Sequence, residues 1–121
     1  MINKVFWKPL SQDIEKTNLF EFQRIINEKY RLKIDNYIDL HNWSINNIES
    51  FWEEIWLYSK ITHSQSYSKV IELNENIWDT NWFIHSKLNY AENLLRIKND
   101  SVAIYFFGEN KVKRTITFNQ L

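Results

Sequence analysis

With no cysteine anywhere in its 121 residues, the chain can form no disulfide framework, offers no thiolate nucleophile and cannot hold zinc through sulfur. That absence fits a reducing compartment. Glycine and proline are almost missing too, one of each. A loop that cradles phosphate through backbone N–H groups needs several glycines to let the ligand approach, so Gly108 alone excludes a nucleotide loop of that kind. Charge of one sign is lacking as well: fifteen basic residues balance fifteen acidic ones, leaving no field to draw in phosphate backbones or anionic membrane surfaces. No nucleic acid and no membrane is expected as a partner. The longest apolar run, residues 102–107, is far too short to span a bilayer. Residues 1–10 place Lys4, Trp7, Lys8 and Pro9 where a signal peptide carries its apolar stretch. The expected location is cytoplasmic, and the sequons at Asn42 and Asn99 are then chance matches.

What remains is rich in large apolar side chains, 44% hydrophobic and 17% aromatic, more than a disordered chain of this length carries. The length matches one small domain with its own core. Ser11 is a candidate N-cap, Asp13 suits the positive end of a helix, and Leu19, Phe22, Ile26 and Tyr30 recur at helical spacing, so a helix is expected over 12–30. Asp35 would cap a second segment through Trp43, and Asn47 a third. In that third helix Ile48, Phe51, Trp52, Ile55 and Trp56 form one stripe, with Glu49, Glu53 and Glu54 on the polar side. Residues 62–68 read as a loop, 67–73 as a short strand, 74–81 as irregular and 88–97 as a helix with Leu88, Ala91, Leu94 and Leu95 on one face. The continuous apolar run 102–107 is the pattern of a strand covered on both faces. Residues 112–118 alternate, and 108–111 would make the hairpin loop between them. The fold class is therefore α+β, a helical N-terminal half followed by short strands and a C-terminal hairpin.

Chemistry is sparse. His41, His63 and His85 stand about twenty residues apart with no carboxylate at ligand spacing, so a metal site is not expected; His63 reads as solvated and His41 as partly packed. No serine lies in a nucleophile turn of the Gly-x-Ser-x-Gly kind. Glu53 and Glu54 are adjacent in a predicted helix and point apart, which is the pattern of a solvated face and not of paired acid and base. Tryptophans at helical spacing, Trp52 and Trp56, point to core packing more than to a stacking platform. No catalytic and no metal residue is expected in these 121 residues.

Three stretches together carry a family resemblance: Phe6-Trp7-Lys8-Pro9; His41-Asn42-Trp43-Ser44 followed by Phe51-Trp52; and Asn81-Trp82-Phe83 leading into Leu88-Asn89-Tyr90-Ala91-Glu92-Asn93-Leu94-Leu95. In order and spacing they resemble the N-terminal segment of adenylate-forming acyl-CoA synthetases, closest to the acetoacetyl-CoA synthetase branch. Thr115-Ile116-Thr117-Phe118-Asn119-Gln120-Leu121 resembles the stretch that opens the large adenylation domain. The resemblance implies an N-terminal segment over 1–98 and the beginning of the AMP-binding domain over 99–121, truncated where Asn119 would cap a following helix.

The activity implied is ATP- and Mg²⁺-dependent conversion of acetoacetate, or another short acyl acid, to an acyl-adenylate and then to its coenzyme A thioester. The phosphate loop and catalytic lysine of the family lie downstream, so this piece alone is expected to be inactive and to bind no cofactor itself. Its implied partner is the remainder of the adenylation domain. In acetyl-CoA relatives the turn after Trp-Phe lies near bound CoA, which maps onto Phe83, Ile84, His85 and Ser86 here. Relatives have small residues with glycine at that turn, and bulk at Ile84-His85-Ser86 would strain a positive φ, so either the turn has changed or the CoA contact is weakened. The alternative for Phe83 is a core aromatic beside Trp82. Asn89 and Asn93, four residues apart, are expected to hold backbone groups of the preceding turn. The competing function is a free-standing aromatic-rich interaction module docking on a separate adenylation subunit.

Overall fold

Side-chain caps set where two helices of the N-terminal half begin. The computed structural model describes residues 7–121; Phe6 of the first motif and Lys4 of the leader reading lie outside the described residues. The helix expected over 12–30 is two helices, α1 (Ser11–Ile14) and α2 (Asn18–Tyr30). Thr17 separates them. Its hydroxyl donates to the Ile14 carbonyl at 2.7 Å and accepts from the Phe20 N–H at 3.2 Å, closing one helix and capping the next. Ser11 is the first helical residue and not the cap, a position held by Leu10 without a side-chain bond. Arg31 ends α2 in the left-handed region at φ 53°. Gln23 and Asn27, one turn apart on α2, both donate to the Ile34 carbonyl at 2.7 Å, and Asn27 accepts from the Ile34 N–H at 2.8 Å. Those amides pin Ile34 into the core.

Helix α3 (Tyr37–Asn46) is capped by Asn36, not Asp35, because Asn36 Oδ1 reaches the Asp39 N–H at 3.0 Å while its Nδ2 donates to the Asp39 carboxylate at 2.7 Å. Asn47 stands before α4 (Ile48–Tyr58) but makes no cap bond; its amide turns back to the Trp43 carbonyl at 3.0 Å and finishes α3 instead. Phe22, Ile26, Ile34 and Leu40 form the core of this unit, with Tyr30, Trp43, Phe51, Ile55 and Tyr58 packed around it. Phe22 meets the edges of Phe51 and Tyr58 at 6.0 and 5.4 Å, and each such side chain contributes about 1.5–3 kcal/mol by burial. Leu19, expected on the buried stripe of α2, is exposed. On α4 the stripe is split: Trp56 is buried, whereas Trp52 is 37% exposed and rests on Phe51 at 5.5 Å.

Glu54 corrects the solvated-face reading of Glu53 and Glu54. It is buried, paired with Lys29 of α2 and accepting from the Tyr30 hydroxyl at 3.0 Å. The helical position that faces α2 is polar, and the charge is compensated there instead of being turned to water.

The second unit begins at Lys60. Strand β1 (Lys69–Glu72) is shorter than the expected 67–73 and pairs antiparallel with β2 (Asn81–Ile84), Ile71 opposite Trp82. The connection expected to be irregular over 74–81 holds a 3₁₀ turn, Ile77–Asp79, clasped by Asn74 donating to the Asp79 carbonyl at 2.6 Å. Helix α5 (Tyr90–Leu94) is five residues long, shorter than the expected 88–97. Strands β3 (Val102–Phe107) and β4 (Lys113–Thr117) form the expected hairpin, its loop closed by Gly108 N–H donating to the Val112 carbonyl at 2.8 Å. Cover on both faces of β3 is not found. Ile104 and Phe106 on one face, and Tyr105 and Phe107 on the other, are all exposed, the last by 69%. The fold is α+β, helices first and short antiparallel strands after. Among the described residues no helix is long and apolar enough to cross a membrane.

Candidate functional site

Residues 83–86, singled out in the sequence as the departure from the family pattern, end β2 and form the turn that leaves it. The turn takes positive φ despite its bulk. Phe83 sits at φ 45° and His85 at φ 64°, both in the left-handed region that a side chain disfavours by roughly 1–2 kcal/mol per residue. The Ser86 N–H donates to the Phe83 carbonyl at 3.0 Å and closes the turn.

The loop over 62–68 is zipped against this turn and the residues after it. Ser68 N–H donates to the Ile84 carbonyl at 2.9 Å; Lys87 N–H donates to the Gln65 carbonyl at 3.0 Å, with Gln65 N–H returning to the Lys87 carbonyl at 3.2 Å. Further along, Asn93 holds both backbone groups of Thr62 at 2.8 Å, and Asn89 caps α5 through the Glu92 N–H at 3.2 Å. Both asparagines serve backbone groups, but those of Glu92 and Thr62 and not of the turn at 83–86.

Two side chains that the sequence reading left out meet the turn. The Tyr67 ring lies 5.5 Å from the Phe83 ring at 63°, and Ser68 Oγ lies 2.9 Å from His85 Nδ1. Phe83 is half-buried and packs edge-on against Tyr67. Ser86 is half-buried and His85 exposed. The signal that could have found Tyr67 and Ser68 is register. Lys69 pairs with Ile84, which puts the two residues before β1 beside the two after β2, but β2 had no legible pattern of its own.

His41 is exposed on α3 with its ring 6.1 Å from Tyr37, not partly packed, and His63 bonds the Ile61 carbonyl at 2.9 Å from an exposed loop. Among the described residues no three metal-binding side chains cluster. An open depression of about 550 Å³ lies beside α5, lined by Thr62, Asn89, Glu92, Leu95 and Arg96 among others.

Of the ionisable groups, two in the helical unit are shifted through Glu54. Its hydrogen bond and charge hold the Lys29 ammonium above its ordinary value, outweighing partial burial. Burial, then the bond to Glu54, pushes the Tyr30 phenol up as well. Neither lies in the turn. What the turn presents is an exposed imidazole, a half-buried serine and a backbone bend closed by the Ser86–Phe83 hydrogen bond.

The family described as the acetyl-coenzyme A synthetase N-terminus matches residues 37–94. Acetoacetyl-CoA synthetase of Danio rerio is 38% identical over 100% of this chain and 18% of its own length. That of Xenopus tropicalis is 40% identical over 98% of this chain and 18% of its own. The solved acetoacetyl-CoA synthetase from Streptomyces lividans superposes with a TM-score of 0.82 at 26% identity, covering 93% of this chain and 18% of that one. The chain thus spans about a fifth of the length of these relatives. Its resemblance to the N-terminal segment of acetoacetyl-CoA synthetases holds along its whole length. All three relatives are ligases by name, and none supports a free-standing interaction module.

Proposed function

We infer that the chain is the N-terminal segment of an acetoacetyl-CoA synthetase and works only as part of that ligase, activating acetoacetate with ATP and passing the acyl group to coenzyme A. Similarity along the entire chain to enzymes of that name carries the reading. A single glycine leaves these residues no Gly-rich loop to cradle phosphates, so we place adenylation, with its ATP and Mg²⁺, in the remainder of the ligase, a chain we place in the cytoplasm.

Coenzyme A fits better. Phe83, His85 and Ser86 would face its nucleotide end, the imidazole and hydroxyl giving polar contacts and the bend a fixed backbone surface. A turn that keeps φ at 45° and 64° despite its side chains supports that role, since a conformation of this cost persists only where surroundings hold it. Residues 99–121 would open the adenylation domain, whose further strands and helices cover the exposed faces of the β3–β4 hairpin. Uncovered strands of this composition are otherwise an aggregation template.

The genomic sequence directly after the codon for Leu121 tests this. An open frame running on into a Gly-rich phosphate loop is the expected result. A stop codon, followed by a separate start for an adenylation protein, would overturn it in favour of the interaction module.

A further inference from the structure

We propose that Tyr67 and Ser68 are positioning residues that hold the strained Phe83–Ser86 turn in its left-handed form, Ser68 acting through His85 and Tyr67 through Phe83. The inference rests on the CoA-facing role given to that turn. Two residues with side chains occupy positive φ, at 45° and 64°, within a three-residue span. Each is met by one member of a single dipeptide. Ser68 Oγ is 2.9 Å from His85 Nδ1, and the Tyr67 ring packs edge-on to Phe83 at 5.5 Å.

The dipeptide is itself fixed. Ser68 N–H bonds the Ile84 carbonyl at 2.9 Å, and the Gln65–Lys87 bridge anchors the chain on the far side. Glycine would take φ 64° at no steric cost and needs no clamp; a histidine there needs a compensating contact. Ser68 supplies one. Without it the turn relaxes toward negative φ, and CoA must select a competent form populated only in part, which raises its apparent dissociation constant by that fraction.

The test is a cycle of four complete enzymes: the parent, Ser68→Ala, His85→Gly and the double variant. Two quantities are read for each, the KM for CoA against kcat, and deuterium exchange at the peptide containing the Ser86 amide. Exchange at Ser86 reports the turn directly, because that N–H is bonded to the Phe83 carbonyl. In the His85 background, Ser68→Ala is expected to speed Ser86 exchange and raise the CoA KM about fivefold, the factor carried by one ordinary hydrogen bond, with kcat at saturating CoA little changed. In the His85→Gly background the same substitution should change both by less than about twofold. Equal effects of Ser68→Ala in both backgrounds, or no effect on Ser86 exchange in either, overturn the clamp. Coupled exchange with a CoA KM that never moves leaves the clamp standing and removes the CoA-facing reading instead.

Discussion

Replacing Lys29 by methionine leaves the Glu54 carboxylate buried in the helical unit without its cation, served by the Tyr30 hydroxyl at 3.0 Å. Losing one partner of a fully buried ion pair costs about 3–5 kcal/mol, but the Lys29 side chain is 47% exposed and water can follow it, so about 2 kcal/mol is the reasonable loss. Glu54→Gln keeps an acceptor for Tyr30 at similar volume and gives up only the charge, which predicts about 1 kcal/mol. Combining Lys29→Met with Glu54→Leu removes both charges and adds apolar contact with the core around Phe51 and Ile55. The double variant should be less damaged than the sum of its parts by at least about 1 kcal/mol. Hydrogen exchange of the α4 amides is the assay, since it reads local opening without a global two-state transition. Two kcal/mol there is about a thirtyfold acceleration. Exchange that changes less than about twofold in Lys29→Met, or strictly additive effects in the double variant, would refute the claim that Glu54 depends on Lys29.

The pH dependence has a definite sign: Lys29 and Tyr30 both hold their protons more tightly folded than unfolded, so their stabilising contribution is complete below the ordinary values of 10.0 for tyrosine and 10.5 for lysine. It is lost as pH climbs through the raised folded values, and α2–α4 exchange should therefore accelerate above about pH 10 beyond the intrinsic base-catalysed rise; an unaltered protection profile there counts against the cluster. The 121-residue chain by itself should bind a hydrophobic dye through β3 and unfold at modest temperature, and Phe107→Lys should lower the dye signal. A dye-silent monomer with one sharp, reversible transition well above about 50 °C would contradict both. Asn93→Ala removes the two 2.8 Å bonds to Thr62 and should cost about 1–2 kcal/mol locally, seen as faster exchange of the Thr62 amide; unchanged exchange would show that the loop is held by other contacts.

Much of the N-terminal half was legible because its signals are local. Helical spacing of Phe22, Ile26 and Tyr30, and of Phe51 and Ile55, is read directly from periodicity, and the same residues surround the core. The misplacements came from competition between equivalent polar side chains. Thr17, Asn36 and Asn47 each had a choice of backbone partners, and only the packed geometry decides that Asn47 serves Trp43 while Asn36 caps α3. Glu54 was misread for a different reason: a carboxylate on an amphipathic helix goes to water unless another helix brings a cation and a phenol to it, and Lys29 lies 25 residues away. The turn at Phe83–Ser86, and the strain that its bulk would put on a positive φ, were read through family resemblance, but the contacts from Tyr67 and Ser68 were not. Positive φ at a histidine has no composition signature, and Tyr67 and Ser68 reach it only through the β1–β2 register.

Acetoacetate-dependent exchange of pyrophosphate into ATP, followed by thioester formation on adding CoA, should be measured in parallel on residues 1–121 and on the product of the complete reading frame that contains them. The segment is expected to be silent in both steps, because its single glycine gives it no Gly-rich loop to cradle the phosphates. The complete protein should exchange pyrophosphate and release acetoacetyl-CoA. Turnover by residues 1–121 alone, or a complete protein that fails to activate acetoacetate while activating some other acid, would contradict the assignment.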